Sequence, residues 1–178
     1  NLMYSSQLEK NAAPWSIRYP RGTGVMTDWK KSFKEIKVGQ GRRTKSGEDM
    51  AILSLGHIGN KALNAAKKLS EGNYSVAHYD LRFAKPLDEM LLHEVFGKFE
   101  DILVVEDGAI QGGVGSAVLE FMADNGYAAR VKRLGIPDRI IEHGTQEELY
   151  THCGYNEEDI LETAQEMLKV AKRAKATG

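Results

Sequence analysis

Cysteine is almost missing from this sequence: Cys153 stands alone among 178 residues. An intrachain disulfide and a thiolate metal cluster are thereby excluded, which points to a reducing compartment. Charge of one sign is equally scarce. Lys and Arg number 24 against 25 Asp and Glu, for a formal net charge of -1. That balance offers no coherent basic field to nucleic acid or to an anionic membrane surface. No apolar run approaches the roughly 20 residues needed to span a bilayer, and no signal segment is recognisable. The chain also lacks an initiator methionine, so the natural amino terminus is expected upstream of Asn1.

What is present, a hydrophobic content of 42%, suits one domain with a full core and an appendage. Residues 1 to 13 read as a short helix or the end of one. "PWSIRYP", Pro14 to Pro20, alternates as a strand bounded by prolines. A lone strand cannot bury its apolar face, so this piece is expected to belong to something larger. Residues 22 to 48 read as a basic connector rich in glycine, with one short strand at Ile36 to Val38. From Asp49 the pattern becomes regular α/β alternation. Strands are predicted in "MAILSLG", "YSVAHYDLR", "DILVVED" and "AARVKRLGI". Helices are predicted from about Gly59, from near Pro86, over 113 to 125, from Thr145 with Glu148 completing a capping box, and from Asn156. The third of these strands is nearly all apolar, as expected of a central strand covered on both faces. Four strands with interposed helices imply a three-layer α/β/α domain with a mostly parallel sheet. Ligands in such sheets usually sit beyond the carboxyl ends of the strands.

"VEDGAIQGGVG", 105 to 115, has the look of a phosphate cradle. It lacks the lysine of a Walker loop, and Gly108, Gly112, Gly113 and Gly115 do not fit the dinucleotide spacing. A helix opening near Gly113 could still offer free N–H groups to an anion, but close packing or an interdomain contact is the favoured reading. Glu106 and Asp107 follow an apolar strand where a general acid or base could stand; capping or contact with an arginine is favoured. His57, His78, His93, His143 and His152 have no recognised metal-ligand spacing. His57 and His143, placed in loops, are the first to test. No serine sits in a nucleophile elbow. Arg18 and Arg21 flank a proline bend, where guanidinium groups could clamp a phosphate or pair with acids at a domain edge.

Six stretches carry a family resemblance when taken in order: "IRYPRG" at 17 to 22, "VGQGR" at 38 to 42, "LRFAKPLD" at 81 to 88, "VVEDGAIQGGVGSAVLEF" at 104 to 121, "LGIPDRIIEHGTQEEL" at 134 to 149 and "CGYNEEDI" at 153 to 160. Together they resemble the C-terminal part of the 1-deoxy-D-xylulose-5-phosphate synthase family, thiamine-diphosphate-dependent enzymes of the transketolase type. Transketolase and the beta subunits of 2-oxo-acid dehydrogenases share this domain type, but "RYPRG" with "RFAKPLD" and "PDRIIEHG" favours the synthases.

The resemblance implies a transketolase C-terminal-like domain over 48–178, a linker over 26–47, and over 1–25 a remnant of the pyrimidine-binding domain. It implies that the full-length protein condenses pyruvate with D-glyceraldehyde 3-phosphate to 1-deoxy-D-xylulose 5-phosphate and CO2, as a homodimer in the bacterial cytoplasm. The same resemblance gives thiamine diphosphate and Mg2+ as cofactors of the full-length enzyme. No counterpart of the metal motif or of the glutamate that activates the cofactor is present, so these residues are expected to bind neither and to be inactive alone. Arg21 matches the motif arginine that binds the substrate phosphate, whereas Arg18 is given no direct substrate contact. No residue of the chain is assigned a catalytic role. Two alternatives remain open: a self-standing α/β binding or regulatory module, and a 2-oxo-acid dehydrogenase beta subunit.

Overall fold

A computed structural model describes residues 1–8, 14–20, 22, 24 and 30–177, with side chains described through residue 171. Its strands are β1 (Arg42–Lys45), β2 (Met50–Leu55), β3 (Val76–Asp80), β4 (Asp101–Ala109) and β5 (Arg130–Ile136). After a short α1 (Leu2–Ser6), the helices are α2 (Gly59–Glu71), α3 (Glu89–Lys98), α4 (Val114–Asp124), α5 (Gln146–Cys153) and α6 (Glu157–Thr177). The strands join in the order β1-β3-β2-β4-β5. β2, β3, β4 and β5 run parallel, and β1 alone pairs antiparallel, against β3.

Side-chain alternation divides the interior into two cores. Met50 and Ile52 of β2, with Leu103 and Val105 of β4, face α2 and α6. Ala51, Leu53, Ile102 and Val104 face α3 and α4 on the other side. Such continuous apolar strands need cover on both faces, and the helices supply it. The result is the three-layer α/β/α arrangement.

Helix starts follow local chemistry. Thr145 and Glu148 form the expected capping box at α5. Asn156 and Asp159 exchange a similar pair of hydrogen bonds at α6, at 2.9 and 3.0 Å. The α3 helix begins at Glu89 rather than near Pro86, because Asp88 is its cap and accepts from the Leu91 N–H at 3.0 Å. The other Asp88 oxygen accepts from Gly41 N–H at 2.9 Å, which ties the approach to β1 to the start of α3.

Two strand expectations are corrected. Pro14 to Pro20 forms no strand, although residues 14 to 18 alternate between exposed and half-buried. Among the described residues no strand lies beside it, and without a ladder partner an extended segment remains an extended segment. Ile36 to Val38 also forms no strand. Gln40 N–H instead bonds to Lys37 C=O across a turn, and Ile36 N–H bonds to Ser5 Oγ. The strand of this region is β1, inside the stretch read as connector, where Arg42 pairs with Asp80 and Arg43 with Tyr79. The basic side chains of Lys172, Arg173 and Lys175, towards the end of α6, lie outside the described residues.

Candidate functional site

At the carboxyl edge of the parallel strands, neighbouring residues of β4 do different work. Successive side chains of a strand point to opposite faces. Glu106 therefore faces the α4 side and Asp107 the α5 and α6 side.

Glu106 is only 4% exposed. Its two carboxylate oxygens accept from Val114 N–H and Gly115 N–H, each at 2.8 Å. These are free donors of the first turn of α4, where negative charge is favoured. The glycines make the approach possible. A Cβ on Gly113 would collide with the Ala109 carbonyl oxygen and with the Glu106 carboxylate. One on Gly115 would lie 2.9 Å from Arg133 Cδ and 3.1 Å from Glu106 Oε1. Arg133 in turn donates to Ile110 C=O and to Ser116 Oγ, both at 2.7 Å, and holds the loop shut. The cradle is real, and the chain's own carboxylate fills it.

Asp107 collects partners from distant parts of the sequence. Tyr155 O–H donates to its Oδ1 at 2.9 Å, and His57 Nε2 lies 3.7 Å from its Oδ2. Arg18 donates to the Asp107 backbone carbonyl oxygen and places Nη2 3.6 Å from Oδ2. His57 Nε2 also shares a hydrogen bond with the Tyr150 hydroxyl. Burial, reinforced by the Asp107 and Glu147 charges, pushes the Tyr150 phenol up to about 12. Burial first, then the hydrogen bond to Asp107, pushes Tyr155 upward as well. Both phenols are neutral at neutral pH; Tyr155 donates to Asp107, while the roles of Tyr150 and His57 follow the His57 tautomer.

This hub borders a cleft of about 390 Å³ whose lining includes Arg18, Asp107, Glu142, His143, Gln146 and Tyr150. His57 and His143, the two histidines singled out to test, are drawn to one region. The other histidines are placed elsewhere. His78 is 2% exposed and bonds to Thr44 Oγ1 and, at 2.9 Å, to Ser54 Oγ. Burial, with Arg42 nearby, lowers it to about 4. His93 bonds to Tyr127 and packs edge-on against Phe121, and His152 contacts Arg139. Arg21, the proposed phosphate ligand, lies outside the described residues. Tyr150 and Tyr155 escaped sequence reasoning. Tyr155 directly follows the helix-ending Gly154, a position that signals a stop and not a site.

Among the described residues no group of three or more His, Cys, Asp or Glu side chains is placed to hold a metal ion. No helix among them is long and apolar enough to cross a membrane. With the glycine cradle filled by Glu106, these residues do not fit a diphosphate with its metal at the one place that resembled such a site.

Residues 39–160 match the family "Transketolase, C-terminal domain". The 1-deoxy-D-xylulose-5-phosphate synthase of Cytophaga hutchinsonii is 58% identical over 94% of this chain and 26% of its own length. That of Bacteroides thetaiotaomicron is 56% identical, with the same coverage of both chains. That of Geobacillus sp. is 38% identical over 98% of this chain and 28% of its own. The chain thus spans about a quarter of the length of the curated relatives it matches. Among solved structures, a split-gene transketolase described as an inactive beta4 tetramer superposes with a TM-score of 0.71 at 29% identity. That match covers 76% of this chain and 44% of the other.

Proposed function

Because the chain belongs to the transketolase C-terminal domain family, with the form of that domain found in 1-deoxy-D-xylulose-5-phosphate synthases, we propose that the longer protein containing it is such a synthase. It would condense pyruvate with D-glyceraldehyde 3-phosphate, releasing CO2 and forming 1-deoxy-D-xylulose 5-phosphate, as a homodimer in the bacterial cytoplasm. The observation that carries this reading is the 58% identity to a synthase across 94% of the chain. Thiamine diphosphate, held with Mg2+ by other parts of the protein, would supply the carbon nucleophile. No step of that chemistry falls to the residues described above.

Their role is binding and support. Residues 1–25 would complete the domain that receives the aminopyrimidine ring, 26–47 would connect, and 48–178 would form the C-terminal domain. Arg21 would hold the phosphate of the aldehyde substrate, as its place in "RYPRG" implies. Arginine suits that task because its planar fork of donors pairs with phosphate oxygens.

Two measurements test this. In the full-length enzyme, Arg21→Ala should raise KM for D-glyceraldehyde 3-phosphate by roughly 10- to 100-fold, as expected for loss of a charge-assisted hydrogen-bonded pair. Thiamine diphosphate affinity should change little; comparable losses in both would defeat the assignment. Assayed alone with both substrates and added cofactor, residues 1–178 should form no product above the no-protein rate. Product formation would instead place the whole cofactor site in this chain, and lipoate acylation by the full protein would identify a 2-oxo-acid dehydrogenase.

A further inference from the structure

One set of apolar side chains serves neither core. Leu2, Met3 and Tyr4 of α1, with Ile17, Phe33 and Ile36, line an open cavity of about 660 Å³ whose walls are almost wholly apolar. None of the six joins the packing on either side of the sheet. Phe33 is 71% exposed and Met3 57%. The face is nevertheless built. Ser5, buried, donates to Asn1 C=O and accepts from Ile36 N–H, both at 2.7 Å. Asn1 Oδ1 accepts from Lys34 N–H at 3.0 Å, and the Tyr4 and Phe33 rings stack with centroids 5.6 Å apart. Residues 33 to 36 are thus strapped along α1. A helix of five residues has no stability of its own. A contiguous apolar face held in this way marks an interaction surface.

We infer that this face docks against the part of the same polypeptide that precedes Asn1, with Phe33 and Ile36 as contact residues and not as members of a free connector. The inference rests on the reading that the chain belongs to a longer protein of the synthase type. The occupant follows from the length and order of the relatives. This chain spans about a quarter of their length. The domain it shares with them, matched over residues 39–160, is a C-terminal one, so most of the remaining length lies ahead of it. All six residues of the face also lie ahead of that match. Covering Phe33 and Met3 would remove from water apolar surface that neither core can use.

The test uses the complete protein. Hydroxyl-radical labelling, read by mass spectrometry, compares Met3 and Phe33 in the native state with the same protein unfolded in guanidinium chloride. The core of an interface packs like a protein interior, so native labelling of both should be lower by about ten-fold or more. An uncovered face, at exposures of 57% and 71%, would lower it by less than about two-fold. Phe33→p-benzoylphenylalanine then identifies the occupant. Irradiated protein assembled from isotopically labelled and unlabelled chains should give adducts with peptides from upstream of Asn1, both halves carrying the same isotope.

Adducts of mixed isotope would assign the face to a second copy. Adducts confined to residues 1–178, or labelling lowered by less than two-fold, would leave the face uncovered. Either outcome overturns the inference. Synthase activity is assayed separately on the same preparation. A covered face in a protein that forms no 1-deoxy-D-xylulose 5-phosphate sinks the synthase reading alone, and an active enzyme with an uncovered face sinks the inference alone.

Discussion

Glu106 occupies the place that a bound phosphate would take, and this explains why a phosphate-like sequence carries no phosphate signature. Glycine spacing in 108 to 115 was legible as a demand for close backbone approach. Capping was also the favoured reading of Glu106; what was not legible is which N–H groups it caps, because nothing local ties it to groups eight and nine residues ahead. Glu106→Gln should cost roughly 2 to 4 kcal/mol, since an amide can accept one of the two hydrogen bonds and turns a donor toward the other. A urea midpoint unchanged from wild type would refute that account. His78 makes a second residue-level prediction. Its ordinary value of 6.5 falls to about 4 in the folded chain through burial and then Arg42. Between these values the unfolded chain binds more protons. The stability His78 permits is therefore complete above about pH 6.5 and lost as the pH falls through about 4, by roughly 3 kcal/mol. Urea titrations from pH 7 to 4 should show this slope, and His78→Gln should flatten it.

At the scale of elements, what was legible was whatever carries its own period or its own cap. β2 and β4 declared themselves by unbroken apolar runs, and α5 by Thr145 and Glu148. β1 did not, since "RRTK" has no apolar alternation and is a strand only because β3 lies beside it. Its arginines and lysine also suit an edge, where charge discourages pairing with another chain. The converse case is Pro14 to Pro20, which has the alternation and, among the described residues, lacks a ladder partner. Asp88 shows how one residue can serve two elements. Asp88→Ala should cost about 2 kcal/mol, because it uncaps α3 and also frees the Gly41 N–H. Asp88→Asn, which keeps one acceptor, should lose about half as much. Equal losses in the two variants would mean that only one of the two contacts matters.

For the molecule as a whole, both cores and all five strands fall within residues 42 to 168. Residues 39–177 expressed alone should therefore unfold in urea as one cooperative transition, within about 1 to 2 kcal/mol of the full 178 residues. Among the described residues, what would be lost is the Arg18 ion pair and hydrogen bond to Asp107, the Trp15–Phe83 ring contact and the Gln40–Lys37 turn bond. A broad transition, or loss of near-ultraviolet circular dichroism, would show that the earlier segment is needed to fold. The two cores also differ in when their parts are synthesised. The core beneath α3 and α4 has all its members by Val131, whereas the other waits for Ile160, Ala164, Met167 and Leu168 of α6. A ribosome delivers this domain with one side of the sheet ready to close and the other bare until α6 is made. A premature stop codon anywhere after β5 and before α6 would consequently release a half-covered sheet, a natural substrate for chaperones and proteases, rather than a domain with a trimmed end.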